Sequence, residues 1–101
     1  MKAYVIGSVQ MRDDSWVKEY AAKTEAIVTR HGGRYLVRGA TMEKLEGAGP
    51  LPHVMVVIEF PSYEAARACW DSPEYQAVKA LRDGHAVADI IVIEGYDGPQ
   101  P

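Results

Sequence analysis

The chain has 101 residues with 11 basic against 14 acidic side chains, a formal net charge of −3, which allows one small domain with a thin core. It holds no Lys/Arg cluster of the kind that displaces counterions from phosphates, so a nucleic-acid partner is not expected. Its single cysteine makes no intrachain disulfide or CxxC pair. No run approaches the about 18 apolar residues of a membrane span. The apolar start from Ala3 to Val9 is too short for a signal peptide and contains Tyr4, Gly7 and Ser8. The expectation is a cytoplasmic protein with no membrane partner.

Residues 2–10 alternate and are rich in β-branched and aromatic side chains, which predicts a strand. Asp13, Asp14 and Ser15 supply N-cap chemistry for a helix whose stripe runs through Val17, Tyr20, Ala21, Thr24, Ile27 and Val28 and stops at Gly32-Gly33. Arg34 to Arg38 alternates as a second strand, which Gly39 is placed to kink or bulge. Residues 41–52 form the longest irregular stretch. The near-continuous apolar run from His53 to Phe60 predicts a third, central strand. Ser62 is placed to cap a helix carrying Ala65, Ala66, Cys69 and Trp70, and Ser72-Pro73 restarts it through Tyr75, Val78 and Leu81 or Arg82. Residues 89–95 supply the last strand. The order is β-α-β-β-α-β, an α+β ferredoxin-like pattern, with one domain over residues 1–97 and a flexible tail at 98–101.

Alternation sorts each strand into two faces. Val5, Val9, Tyr35, Val37, Val54, Val56, Ile58, Phe60, Ile91 and Ile93 are expected to carry the helices. The other set runs Tyr4, Ile6, Ser8 and Gln10; Arg34, Leu36 and Arg38; His53, Met55, Val57 and Glu59; Ile90, Val92 and Glu94. It mixes aliphatics with polar groups, as does the lining of a ligand pocket or a dimer interface.

The strings Gly33-Arg-Tyr-Leu-Val-Arg-Gly39, Leu45-Glu46-Gly47, Val57-Ile-Glu-Phe-Pro-Ser62 and Trp70-Asp-Ser-Pro-Glu-Tyr-Gln76 resemble domain-of-unknown-function family 1330 across almost the whole chain. That resemblance implies a dimeric α/β barrel, two ferredoxin-like sheets face to face around a pocket, with the mixed face inside and a homodimer as the assembly. It supplies no reaction. The chain departs from the family pattern at His53, where many members have arginine, and at Cys69, in a stretch that varies.

Arg38 and Glu59 fall on the same expected face and match family motifs. Such a pair binds a substrate carboxylate or steadies an enolate, or else forms a salt bridge at the dimer seam. His53, the histidine on that face, is an acid/base candidate against the plainer reading of an exposed or hydrogen-bonded side chain. These three are the candidate catalytic residues. Tyr4 and Ser8 are candidates to orient a ligand through their hydroxyls. Glu46 is a loop carboxylate with the potential of a general base or a solvated group. Arg82, which matches a family arginine, is placed to reach a pocket mouth or to pair with Asp71 or Glu74. Trp16, Tyr20, Trp70 and Tyr75 read as packing aromatics and Cys69 as a small buried hydrophobe. No metal-ligand spacing occurs, and neither a metal nor a cofactor is expected. Three functions stay open: a cofactor-independent oxygenase, isomerase or cyclase acting on a small apolar or aromatic molecule, a non-catalytic binder with the same pocket, and a structural or stress-associated dimer.

Overall fold

β-branched and aromatic residues in alternation build β1 (Ala3–Met11), the strand against which the rest of the sheet is assembled. In the computed structural model, which describes residues 1–100, the chain continues through α1 (Val17–Arg30), β2 (Arg34–Gly39), β3 (Val54–Phe60), α2 (Tyr63–Asp71), α3 (Pro73–Lys79) and β4 (Ala86–Glu94). The four strands pair in the order β2-β3-β1-β4, every neighbour antiparallel, so β3 is internal as expected. This is the α+β ferredoxin-like arrangement. The expected tail at 98–101 ends on Pro101, which lies outside the described residues; ahead of it the Tyr96 hydroxyl donates to the Pro99 carbonyl at 2.6 Å.

Most local signals act where the sequence puts them. The Ser62 hydroxyl accepts from the Ala65 amide at 3.0 Å, and Ser72 accepts from the Tyr75 amide at 3.2 Å with Pro73 opening α3. The break between α2 and α3 therefore stands as expected. Gly32, at φ 81°, lets the Gly33 amide bond back to the Val28 carbonyl at 2.9 Å and closes α1. The start of α1 is different. Asp13 does not cap the helix; its carboxylate accepts the Ser15 amide and hydroxyl at 3.0 and 2.6 Å, while Trp16 occupies the cap position without capping through its side chain, whose indole N–H donates instead to the Asp13 carbonyl at 2.8 Å. Asp13 also meets His85 at 2.8 Å, tying the β1–α1 loop to the turn before β4.

The sheet register corrects two of the face assignments. β4 runs Ile90-Ile-Val-Ile93 without alternation, so only its pairing sets the parity. Val92 stands opposite Val5 and Ile90 opposite Gly7, on the helix side, whereas Ile91 and Ile93 are 56% and 51% exposed on the open face. In β2 an extra residue falls at Leu36: Tyr35 pairs with Ile58, but Val37 pairs with Val57 and Arg38 with Val56. This β-bulge reverses the alternation beyond it. Val37 turns to the open face and Arg38 to the helix face, the reverse of the expectation.

The core gathers Ile27 and Val28 of α1, Ile58 and Phe60 of β3, Ala66 and Cys69 of α2, and Tyr75 and Val78 of α3. Gly33 is required beside it, since a Cβ there would lie 2.7 Å from the Phe60 ring and 2.8 Å from Val28.

Gly33→Ala is expected to cost about 1–3 kcal/mol through overpacking, read as a lower urea midpoint, and Phe60→Leu in the same chain to recover part of it. Asp13 is held at about 2, first by the Ser15 hydroxyl and then by His85. A depressed carboxyl stabilises the fold above its unfolded pKa of about 3.9 and loses that contribution as pH falls toward the folded value. Urea midpoints measured from about pH 5 down to about pH 2 should therefore drop less for Asp13→Asn than for the wild type.

Candidate functional site: a cavity under the first helix

α2 lies on β1, β3 and β4, whereas α1 rests chiefly against α3. The sheet residues beneath α1, among them Val5, Val9, Val54 and Val56, are consequently half-buried and face space. The space is a cavity of about 350 Å3. Val17, Ala21 and Val28 of α1 roof it, and Trp16 and Trp70 contribute aromatic walls. Its size falls at the lower end of the about 300–1,000 Å3 typical of small-molecule pockets.

Polar groups enter at two places. One is a buried corner. The Tyr20 and Tyr75 hydroxyls share a hydrogen bond of 2.7 Å, and an Arg82 Nη donates to Tyr75 at 3.4 Å while its guanidinium lies 5.8 Å from the Tyr20 ring centre. Trp16 packs edge-on to Tyr20 and Trp70 tilts against Tyr75, fixing both rings. Thr24, one turn beyond Tyr20 on α1, also lines the cavity. The other place is the mouth, where the bulge brings Arg38. Its guanidinium lies 4.5 Å from the Tyr35 ring centre and 3.6 Å from Glu25, a solvent-screened pair of small energetic weight.

Three acidic groups of the lining, Tyr35, Cys69 and Tyr75, are held neutral. Burial raises the Tyr35 hydroxyl to about 12 and the Cys69 thiol to about 11. It also pushes Tyr75 well above its ordinary value, with neighbouring Tyr20 adding to the effect. No aspartate, glutamate or histidine lines the cavity. The corner therefore offers hydrogen-bond donors and positive charge and lacks a resident base.

Of the residues singled out in the sequence, the cavity brings together only Arg38 and Arg82, at opposite places. Arg38 and Glu59 do not meet. Glu59 is on the open face, paired with Arg34 at 3.1 Å and Lys2 at 3.4 Å, and the Arg34 hydrogen bond lowers its pKa. Tyr4 stands beside it in register, and the Ser8 hydroxyl donates to the Met55 sulfur at 3.1 Å on the same face. His53 is exposed at the end of the sheet, where its Nδ1 accepts the Met11 amide at 2.8 Å. Glu46 is exposed in the 41–52 loop. Arg82 pairs with neither acid expected of it; Asp71 is engaged by Arg67 at 3.1 Å. Tyr20, Thr24 and Tyr75, read in the sequence as members of helix stripes, are the ones the cavity assembles. Their hydroxyls, set among apolar residues, were the available signal. Among the described residues no group of three or more His, Cys, Asp or Glu is placed to share a metal ion, and no helix is long and apolar enough to cross a membrane.

The four-stranded antiparallel sheet with its helices on one side defines the protein as a small α+β ferredoxin-like domain. More particularly, the chain belongs to the family described as Domain of unknown function (DUF1330), matched over residues 2–96. No curated protein matches the sequence. Among solved structures it is similar to a protein of unknown function from Rhodopseudomonas palustris, with TM-score 0.80 and 16% identity over 96% of this chain and 84% of that one. It is similar to SnoaB, a cofactor-independent oxygenase from Streptomyces nogalater, with TM-score 0.66 and 11% identity over 96% and 95%. A dimeric protein of unknown function with a ferredoxin-like fold from Bacteroides fragilis aligns with TM-score 0.58 and 17% identity over 93% and 96%. At these identities the likeness is one of fold.

Tyr75→Phe, which removes the bond joining α1 to α3 and the acceptor of Arg82, should lower stability by about 1–3 kcal/mol by chemical denaturation.

Proposed function

We propose that this protein is a cytoplasmic homodimer that takes a small apolar or aromatic molecule into the cavity under α1 and transforms it without a cofactor, as an oxygenase, isomerase or cyclase. The observation that carries the reading is the cavity itself, apolar and aromatic except at one buried corner of oriented donors. Such a corner is suited to polarise a carbonyl or hold a developing oxyanion. A chain whose layers were simply packed core would leave no such space, which weighs against the purely structural reading. The likeness to a cofactor-independent oxygenase supports the reaction type by fold analogy alone. The lone cysteine, free and buried, suits a reducing compartment.

Dimerisation is supported by the open face of the sheet, where Leu36, Val37, Val87, Ile91 and Ile93 form an exposed apolar surface beside Tyr4 and Ile6. The dimeric Bacteroides neighbour agrees with that assembly. Within it Glu59, bound to Arg34 and Lys2, serves the interface rather than the cavity.

One observation favours the second reading, a non-catalytic binder: among the described residues no carboxylate or imidazole lines the cavity, and the Tyr35 and Tyr75 hydroxyls and the Cys69 thiol are held neutral. Catalysis here therefore falls to a substrate acidic enough to supply its own anion.

Titration with 1-naphthol should quench the emission of Trp16 and Trp70 saturably. Ala21→Phe, which fills the cavity, should abolish the effect, and Glu59→Gln should leave affinity unchanged within about two-fold. Oxygen uptake during turnover of electron-rich naphthols, with no added flavin or metal, would establish an oxygenase. Saturable binding without turnover of any naphthol favours the binder, and quenching that ignores Ala21→Phe removes the cavity from consideration.

A further inference from the structure

Arg82 is only 7% exposed. Its guanidinium is charged at every relevant pH and carries five N–H donors. Burying such a charge is costly unless a carboxylate or several acceptors compensate it. Here the compensation is incomplete. One Nη reaches the neutral Tyr75 hydroxyl at 3.4 Å, and the buried Nε has no partner among the described residues. Asp83 is engaged with Lys79 at 3.8 Å and Asp71 with Arg67 at 3.1 Å, and among the described residues no carboxylate, Glu74 and Asp89 included, forms an ion pair with Arg82. The Thr24 hydroxyl is the other buried side-chain atom left without a partner among the described residues, and both residues line the same cavity. The lining holds two arginines and no acid, in a protein whose net charge is −3. Arg38 has Glu25 as its counter-charge. The uncompensated positive charge is thus localised at Arg82.

We infer that the molecule bound under α1 carries an oxyanion, a carboxylate or an ionised phenol or enol on an apolar ring system, which the Arg82 guanidinium holds in the buried corner. This rests on the pocket reading above and narrows it to a charged class. The remainder of the cavity then accounts for the ligand's apolar body, between the two tryptophans and the valines of β1 and β3. Selectivity follows directly: a neutral molecule of equal shape leaves the guanidinium without a counter-charge, whereas the anion supplies one.

The test compares 2-naphthoate with the neutral 2-acetylnaphthalene, of nearly the same size, by tryptophan quenching and calorimetry on the wild-type protein. Naphthoate is expected to bind at least ten-fold more tightly. Arg82→Met should erase that preference while leaving the affinity for 2-acetylnaphthalene in place, and Arg82→Lys should keep part of it. Should Arg82→Met fail to fold, the wild-type ligand pair decides alone. A second arm follows the absorption of 4-nitrophenol: a bound phenolate spectrum at a pH where the free molecule is protonated assigns an ionised phenol, whereas tight naphthoate binding without it assigns a carboxylate. Equal affinity for naphthoate and 2-acetylnaphthalene, with 4-nitrophenol bound as the neutral form, overturns the inference and leaves the pocket reading standing. If none of the three ligands binds, the pocket reading falls and this one with it.

Discussion

α1 is suspended from α3 more than it is laid on the sheet, and the shared hydrogen bond between Tyr20 and Tyr75 at 2.7 Å is a principal tie in that suspension. An amphipathic helix ordinarily buries its stripe by lying on the nearest apolar layer. Here two large aromatic residues, Trp16 and Tyr20, stand edge to face along the stripe and meet Tyr75 and Trp70 coming from the other helical pair. Four rings packed this way hold the helix off the valines of β1 and β3, and the gap is the cavity. The same contact that fixes the roof also places the hydroxyls at which Arg82 ends, so the stability of the helical layer and the chemistry of the pocket share one set of side chains.

The two faces of the sheet consequently do different work. The helix side carries the cavity, with donors and positive charge and no base. The open side carries Glu59 between Arg34 and Lys2, together with a row of exposed aliphatic residues. A single residue, the extra one at Leu36, decides to which side Arg38 belongs. Without the bulge Arg38 would point away from the cavity and toward the surface shared by Glu59; with it, the arginine guards the cavity mouth. Strand parity admits only these two outcomes, so a one-residue irregularity moves a charge from one functional surface to the other.

Much of the fold is legible in the residues because it rests on local preferences. The β-branched runs, the Ser62 and Ser72-Pro73 helix starts and the Gly32-Gly33 stop each act through the backbone within a few residues, and the seven elements occur in the expected order, although β4 begins at Ala86, three residues ahead of the expected start. The site is legible only in part. Arg82 was singled out and is in the cavity, but at its buried corner and without the acid expected as its partner. Arg38 was singled out and is there too, on the face opposite to the one expected. His53 and Glu46 are at the surface, Tyr4, Ser8 and Glu59 are on the open face, and Tyr20, Thr24 and Tyr75 looked like ordinary members of a packing stripe.

What the sequence determined by itself, then, is the order and type of the elements and the presence of an apolar layer on each side of one sheet, since capping, alternation and helical spacing need no distant partner. Tertiary structure alone decided the parity of β4 and of β2 beyond Leu36, because an unalternating run and a bulge take their facing from the neighbouring strand. It alone also decided that the N-terminal half of the helix stripe would stand off the sheet while Ile27 and Val28 reach Ile58 and Phe60, because the distance between two layers is set by how large side chains from separate segments meet. The charge left without a partner at Arg82 is of the same kind: residue type makes an arginine cationic, but only the packing of α1, α3 and the sheet determines which acids reach it.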